Sequence, residues 1–260
     1  MPQGSPISPL LSNILFHELD KELTRQNLRF IRYADDFSIY TKKKSEALAT
    51  MQFITRFLKT KLQLTINSEK SGIRKPVRFT ILGFGFVPTY KKGEKGKYQL
   101  IVKEQAWKRL KYRLKTITRK TISLSLSQRI AKINEVQRGW LNYFKGASIQ
   151  GKLKDLDGWL RNCLRYCIWT DWKKPDRKRK NLIRLGINQD QAYAWSRTRK
   201  GGWAVAQSPI LVTTITLKGL KQRGYTAMLN VYAQINAINL RTAVYETRTY
   251  GGVRGALRLF

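Results

Sequence analysis

The sequence predicts an α+β fold in which an antiparallel sheet with packed helices precedes a helical bundle. Strand-type runs, rich in aromatic and β-branched residues, fill much of the first hundred residues, at 29–40, 62–66, 79–87 and 98–102. From residue 104 apolar residues recur at helical spacing instead. A chain of 260 residues can hold one domain or two small ones, each with its own core.

The run over residues 29–40 is typical of a β-hairpin whose turn carries two neighbouring acids, Asp35 and Asp36. Adjacent carboxylates repel each other, and a divalent cation offsets that repulsion. Mg²⁺ held by one or two carboxylates together with substrate phosphates is the arrangement of polymerase-type sites. The alternative is that Asp-Asp is only favourable turn chemistry, because Asp bonds its own backbone and tolerates unusual dihedrals.

Helices flank this hairpin. Ser8 as N-cap, with Pro9 behind it, predicts a helix that ends near Thr24. Ser45 is a second N-cap candidate, and apolar residues then repeat at helical spacing as far as Leu62. We therefore expect one helix of about five turns before the hairpin and a second one after it.

Two later strand-type runs complete the predicted sheet. Residues 62–66 alternate as a strand, and residues 79–87 form a strand whose glycines allow a bend or a close backbone approach. A basic hairpin turn over 91–97 then leads into a last strand at 98–102.

Three basic amphipathic helices are predicted after the sheet: one from about Glu104, one over residues 127–144, and one that starts near Asp157. Apolar stripes on them are expected to form a core. The cations have few acids interleaved with them, so they repel one another unless phosphate lies alongside. Three such helices indicate a small bundle with a nucleic-acid face.

Composition restricts the function classes. The formal net charge is +35 and the pI about 10.6, which implies a polyanionic partner, nucleic acid before an anionic membrane. No apolar run approaches a membrane span and no signal peptide is recognisable, so we expect a cytoplasmic protein without membrane association. Cys163 and Cys167 are expected to be buried thiols, and with one histidine, His17, a zinc site is not expected.

Two ordered motifs carry a resemblance to a known family. Tyr33-Ala34-Asp35-Asp36 matches the Tyr-x-Asp-Asp box of reverse transcriptases, and residues 2–14 resemble the block that precedes that box in group II intron reverse transcriptases. The chain thus resembles the later part of a group II intron reverse transcriptase/maturase: a partial palm followed by a thumb or maturase domain.

The resemblance implies roles for individual residues. Asp35 and Asp36 would be the catalytic, Mg²⁺-binding pair, with Asp35 the stronger candidate. The nucleotide and template would lie against Gln3, Gly4, Tyr33, Ala34 and Lys70. The primer strand would contact Leu82, Gly83 and Phe84, in a segment that resembles the Phe-Leu-Gly-Phe box of the family.

The same resemblance, together with the charge pattern, predicts contacts to structured intron RNA. The predicted RNA-binding cations are Lys108, Arg109, Lys111, Arg113, Lys115, Arg119, Lys178, Arg179, Arg197, Arg199 and Lys200. Residues 172–180 are expected to form an exposed basic linker. Residues 192–203 interleave aromatic and cationic side chains, a combination that suits unpaired bases.

The predicted domains are a partial palm (1–103), a helical thumb/maturase domain (104–172), a basic linker with an RNA-binding extension (173–235) and a basic tail (236–260). The family places fingers and a further metal-binding aspartate before the first box, so we expect a split or truncated reading frame that cannot polymerise without an upstream fragment. With such a fragment, a template/primer duplex and deoxynucleoside triphosphates would join intron RNA as partners, in splicing and retrohoming. The alternative is a non-catalytic, RNA-binding, maturase-like splicing factor.

Overall fold

A computed structural model describes residues 6–67, 71–89 and 98–237. Several predictions fall outside these ranges: the nucleotide-pocket residues Gln3 and Gly4, the triphosphate-site residue Lys70, the basic turn at 91–97, and the tail from residue 238. The described residues form two compact units that divide between Lys75 and Pro76. Mixed helices and small antiparallel sheets confirm the predicted α+β class.

The first unit is a β-hairpin packed by two helices. Helix α1 spans Ser8–Arg25, strands β1 and β2 span Arg29–Tyr33 and Asp36–Tyr40, and helix α2 spans Lys44–Lys61. Among the described residues of this unit, the buried core side chains come from the two helices and are Leu19, Leu23, Ile54 and Leu58. Both predicted helices are confirmed, but neither predicted N-cap is: Ile7 rather than Ser8 occupies the N-cap of α1, and Lys43 rather than Ser45 that of α2.

The end of α1 sets the direction in which the hairpin leaves it. Asn27 has φ +53, a left-handed conformation that asparagine tolerates better than most residues. The amide of Leu28 donates to the Leu23 carbonyl at 3.0 Å, and the amide of Asn27 donates to the Thr24 carbonyl at 2.9 Å. These two bonds form a Schellman motif, and the strand starts two residues later.

The strand predicted over residues 62–66 is wrong. Leu62, Leu64 and Ile66 do pack against the core of the first unit, and the residues between them are exposed. The alternation therefore reflects packing on one side, but residues 63–67 are assigned no strand. Gln63 has φ +54, which turns the chain sharply after α2.

The second unit begins with a three-stranded antiparallel sheet. Strands β3 (Thr80–Ile81), β4 (Phe84–Pro88) and β5 (Tyr98–Val102) lie in the order β3-β4-β5. The single strand predicted over 79–87 is wrong, because Ile81 pairs with Phe84 and the two residues between them form a tight turn. The strand predicted at 98–102 is confirmed.

Besides the helical segment 228–237, ten α-helices are assigned in the described ranges, and eight of those ten lie in the second unit. They are α3 (Glu104–Ile117), α4 (Leu126–Phe144), α5 (Gln150–Asp171), α6 (Pro175–Arg184), α7 (Gln189–Ser196), α8 (Gly202–Gln207), α9 (Pro209–Val212) and α10 (Leu217–Gln222). Helix α4 starts with a capping box in which Ser125 and Gln128 bond each other's backbone amides. Helix α5 starts two turns before the predicted Asp157, because Leu153 and Leu156 are also core residues.

The linker expected at 172–180 is wrong because helix α6 occupies most of it, although the expected exposure holds for residues 173–177 and 180. Pro175 occupies the first turn of α6, a position that suits proline because its missing amide hydrogen needs no partner there. Lysine and arginine favour helices, and Leu182 fixes α6 to the core with no exposed surface. The predicted division into four domains remains a prediction.

The C-terminal helices complete the same core as α3, α4 and α5. Leu211, Leu220 and Met228 are fully buried in it. Asp157 of α5, only 3% exposed, accepts hydrogen bonds from the Tyr225 hydroxyl at 2.9 Å and from the amides of Met228 and Leu229 at 2.8 and 3.1 Å. This carboxylate holds the start of the helical segment 228–237 against α5.

None of the helices in the described ranges has both the length and the apolar character needed to cross a bilayer.

Candidate functional site

The Asp-Asp pair lies at the tip of the β1–β2 hairpin. Tyr33 pairs with Asp36 across the strands, so Ala34 and Asp35 form a two-residue turn. Ala34 has φ +54, the conformation that the first turn residue of a primed hairpin turn requires and that glycine usually provides. Both acids are exposed. In the part of the chain that the structure describes, neither carboxylate has a hydrogen-bond or ion-pair partner.

The hairpin has one packed face and one open face. Phe30 and Arg32 of β1 are half-buried, whereas Ile31 and Tyr33 are 40% and 62% exposed. Directly opposite residues of an antiparallel pair share a face, so Asp36 lies on the open face beside Tyr33. The predicted metal ligands and the predicted nucleotide-contacting tyrosine are therefore neighbours on a solvent-exposed surface.

The donor set at this turn suits Mg²⁺. Two unpaired carboxylates provide the hard oxygen ligands that this ion prefers, and Mg²⁺ keeps several waters or phosphate oxygens as its other ligands. Within residues 6–67, 71–89 and 98–237, no three His, Cys, Asp or Glu side chains gather as a possible metal cluster. The turn can thus supply part of a coordination sphere that phosphate, water or further acids complete.

Arg32 and Asp20 were not anticipated from the sequence. Arg32 Nη2 and Nε donate to the Asp20 carboxylate at 2.7 to 3.0 Å, and Nη1 donates to Asn13 Oδ1 at 3.1 Å and to the Ala34 carbonyl at 3.0 Å. These hydrogen bonds to Asp20 raise the pKa of Arg32. A charged residue at an inward position of a half-buried strand was the available signal.

The predicted primer-contacting residues lie in the second unit, at the β3–β4 turn. Leu82 and Gly83 have φ +50 and +83, as a type I′ turn requires. The Tyr143 hydroxyl of α4 donates to the Leu82 carbonyl at 3.1 Å. Phe84 packs against Tyr143 and Phe144, with ring centroids 5.8 and 4.9 Å away. Leu82 is 40% exposed, so the turn tip, rather than the Phe84 ring, is accessible to a ligand.

The cations of α3 form an exposed surface. Trp107, Leu110 and Leu114 are buried against the core, which leaves the remaining faces of the helix to charged residues. The predicted RNA-binding residues of this helix and its end are all exposed: Lys108, Arg109, Lys111, Arg113, Lys115 and Arg119. The acid of this helix, Glu104, is paired with Lys152 at 3.0 Å. The surface therefore carries several cations with almost no compensating acid.

The other predicted RNA-binding cations divide into two groups. Lys178 and Arg179 of α6 are half-buried, and the Lys178 ammonium lies 4.3 Å from the centre of the Trp169 ring. Burial lowers the pKa of Lys178. Arg197, Arg199 and Lys200 are exposed. The second group is available to phosphate, whereas Lys178 also stabilises the packing of α6 on α5.

Aromatic rings accompany the exposed cations after α7. The guanidinium of Arg197 stacks on Tyr193, 3.9 Å from the ring centre, and Tyr193 is 50% exposed. Trp203 at the start of α8 is 41% exposed and contacts Tyr166 edge-on. These side chains offer stacking surfaces next to positive charge, the combination with which proteins bind single-stranded nucleic acid.

Comparisons with known protein families divide the chain in the same order as the motifs. Residues 1–86 match the family model for reverse transcriptase (RNA-dependent DNA polymerase). Residues 107–186 match the model for the group II intron maturase-specific domain. No curated protein matches the chain. The two domain matches, in this order and over more than half of the residues, show that the chain belongs to the group II intron reverse transcriptase/maturase family.

Proposed function

We propose that this chain supplies the acidic turn of an RNA-directed DNA polymerase site and a helical domain that binds intron RNA in splicing and retrohoming. The observation that carries the polymerase part is the unpaired Asp35–Asp36 tip within the region that matches reverse transcriptases. Mg²⁺ at such a site neutralises charge on the transferring phosphoryl group. Asp35 and Asp36 would hold the ion, and Tyr33 and Ala34 would line the nucleotide and template beside it.

Polymerase sites with two metal ions take carboxylates from more than one place in the chain. In the described ranges the acidic turn is not joined by a third acid. We expect the 260 residues by themselves to extend an RNA-templated primer poorly, and to do so efficiently when mixed with an upstream reverse transcriptase fragment that carries a further aspartate. Efficient synthesis by the chain alone would contradict the dependence on that fragment.

The test of the acidic turn is Asp35→Asn in the mixed enzyme, because asparagine keeps the shape of the turn residue and removes its charge. Primer extension should fall at least about a hundredfold, with binding of template and primer unchanged. A variant that extends the primer as well as the unmutated enzyme would contradict the role of Asp35.

The RNA-binding part rests on the exposed cations of α3. Replacement of Arg113 and Lys115 by Gln should weaken binding to a structured intron RNA and lower the slope of log affinity against log salt by roughly 0.7 to 0.9 for each phosphate that is no longer neutralised. Lys59→Gln with Lys61→Gln, on the exposed end of α2, is the matched control because it removes the same charge. Equal weakening by both pairs would indicate only a general effect of net charge.

A second candidate function is an RNA-binding maturase without polymerase activity. The match of residues 107–186 to the maturase-specific domain favours it, since that region alone contains the α3 surface. Asp35→Ala with Asp36→Ala separates the two candidates. If the double variant still binds intron RNA tightly and the intron still splices as it does with the unmutated chain, the acidic turn has no role in that effect and the binding function remains.

A further inference from the structure

The guanidinium of Arg32 connects three parts of the first unit: the middle of α1, the inward face of β1 and the turn that carries the acids. One edge of it forms three bonds of 2.7 to 3.0 Å with the Asp20 carboxylate. Nη1, on its other side, reaches Asn13 and the Ala34 carbonyl, at 3.1 and 3.0 Å. The same guanidinium lies 5.8 Å from the centre of the Phe16 ring.

This ion pair differs from an ordinary surface salt bridge. The side chains of Arg32 and Asp20 are only 14% and 24% exposed, and the pair has the bidentate geometry that fixes a guanidinium in one orientation. Because Asp20 compensates the positive charge, Arg32 can approach the turn without forming an ion pair with Asp35 or Asp36. The carboxylates of Asp35 and Asp36 therefore remain available to bind a cation.

The contact with Ala34 is made at the strained residue of the turn. Ala34 has φ +54, which costs a non-glycine residue about 1 kcal/mol or more. Its carbonyl, at the exposed tip, has no strand partner and instead accepts the bond from Arg32. Arg32 lies on the packed face of β1 and Asp36 on the open face, so the guanidinium steadies the turn from behind and leaves the carboxylates accessible.

We propose that Arg32, oriented by Asp20, is a positioning residue that holds the Ala34–Asp35 turn in the conformation in which Asp35 and Asp36 share one metal ion. This inference rests on the proposed function of the acidic turn. If Arg32 served only to hold the hairpin against α1, its bonds to Asp20 and Asn13 would be sufficient. The bond to the Ala34 carbonyl, one residue before Asp35, adds direct control of the turn itself.

The experiment follows Mn²⁺ binding to the whole 260-residue chain through paramagnetic broadening of the backbone amide signals of Asp35 and Asp36. Arg32→Lys retains the charge but lacks the planar fork that reaches Asp20 and Ala34 together. Arg29→Lys is the matched control: it makes the same change on the same strand, at the exposed end far from the turn. Thermal unfolding of each variant is measured in parallel.

The inference predicts that Arg32→Lys weakens Mn²⁺ binding about tenfold, the size of effect found when partners of metal-ligating groups are replaced, while Arg29→Lys changes it less than about twofold. Asn13→Ala, which removes the bond from Arg32 to Asn13 and keeps those to Asp20 and the Ala34 carbonyl, should leave Mn²⁺ affinity unchanged. If Arg32→Lys does not fold, Asp20→Asn replaces it. That variant frees the Arg32 charge to compete with the ion, so it should also weaken binding.

Unchanged Mn²⁺ affinity in Arg32→Lys, or in Asp20→Asn, would overturn the positioning role and leave the metal site standing. An equal loss of affinity in Arg32→Lys and Asn13→Ala would also overturn it, because loss of the bond to Asn13, rather than of the bond to the Ala34 carbonyl, would then account for the effect. A different result would defeat the proposed function: broadening at residues 35 and 36 that Asp35→Asn with Asp36→Asn does not reduce.

Discussion

Two tight hairpin turns in the part of the chain that the structure describes share a backbone geometry and differ in their side-chain surroundings. Each has a non-glycine residue in the left-handed region at its first position, Ala34 with φ +54 and Leu82 with φ +50. Each first carbonyl accepts a bond from a side chain, Arg32 in one case and Tyr143 in the other. Beyond that the turns diverge: the first presents two exposed acids, whereas the second is clamped onto α4 by aromatic rings.

The two turns therefore differ in how closely their side chains pack against the rest of the protein. At the Ala34–Asp35 turn the side chains make few contacts, so substitutions there should alter ligand binding and leave stability nearly unchanged. At the Leu82–Gly83 turn the neighbouring Phe84 and the Phe144 ring fill the space, so substitutions should alter stability first. Substitutions at both turns and in the helical core can test this division, from the largest expected effect to the smallest.

Among these substitutions, Asp36→Asn at the first turn is expected to have the largest effect on activity. Because Asp36 is exposed and has no partner in the described part of the chain, its replacement should change the free energy of unfolding by less than about 0.5 kcal/mol. In a complemented enzyme it should reduce primer extension at least about tenfold. Parallel measurement of denaturant unfolding and of activity checks both; a large loss of stability would contradict the division.

Gly83→Ala should destabilise the second unit by about 2 to 3 kcal/mol. The new methyl group would occupy a backbone position with φ +83 and lie 3.3 Å from the Phe144 ring. Gly139→Ala is the matched control, since a methyl group there meets nothing within 4 Å and alanine favours a helix. It should stabilise by about 0.5 to 1 kcal/mol. Urea unfolding that ranks the two variants equally would refute this account of the second turn.

The buried thiols predict loss of stability of the second unit at alkaline pH. Burial raises the pKa of Cys163 from 9.0 to about 12 and that of Cys167 to about 11. Below pH 9 both states keep these protons. Above it the unfolded chain releases them first, so the free energy of unfolding falls as pH rises toward 11 to 12, by on the order of 2 kcal/mol per thiol.

The double variant Cys163→Ala with Cys167→Ala is the control, and part of this fall above pH 9 should be absent from it. Cysteine labelling supplies a second check: in the native protein both thiols should react with iodoacetamide only as fast as the core opens. Fast labelling at about pH 8 without unfolding would show that the thiols are accessible and would contradict their burial.

The smallest effects are expected from substitutions that remove a side-chain bond to a turn carbonyl or relieve a positive φ in a turn. Tyr143→Phe removes the bond to the Leu82 carbonyl and should cost about 0.5 to 1 kcal/mol. Ala34→Gly relieves the positive φ of the first turn and should stabilise by less than about 0.5 kcal/mol, because the added freedom of the unfolded chain offsets most of the gain. Chemical denaturation of both variants gives the measurement. If Tyr143→Phe were neutral and Ala34→Gly destabilised the protein, the similarity between the turns would be only geometric.

Local patterns in the sequence predicted most of the elements. Periodic apolar residues located α1, α2, α3 and α4 to within a few residues, and runs rich in aromatic and β-branched residues on either side of the Asp-Asp pair located the acidic hairpin. The Leu82–Gly83 turn was missed because leucine is rare at a position that asparagine or aspartate usually occupies. Helix α6 was missed because most of its residues are charged or polar. Its apolar face is small, since, in the described part of the chain, Leu182 is the one residue of this helix that is buried.

The site was predictable only in part for a different reason. The Asp-Asp pair is a contiguous motif, so it can be read directly. The contact of Arg32 with Asp20 joins residues twelve apart on different elements, and Arg32 reaches Asn13 over nineteen. Such pairs form only when the hairpin leaves α1 at a particular angle. The Schellman motif at Asn27 sets that angle, and it cannot be inferred from amino-acid composition. The metal-binding role of Asp35 and Asp36 remains a proposal.

The most direct test of that proposal is anomalous X-ray diffraction from crystals of the chain soaked in Mn²⁺. The account predicts an anomalous peak within coordinating distance of the Asp35 or Asp36 carboxylate, absent from crystals of the Asp35→Asn, Asp36→Asn variant. Mn²⁺ peaks elsewhere on the protein with none at this turn would contradict it.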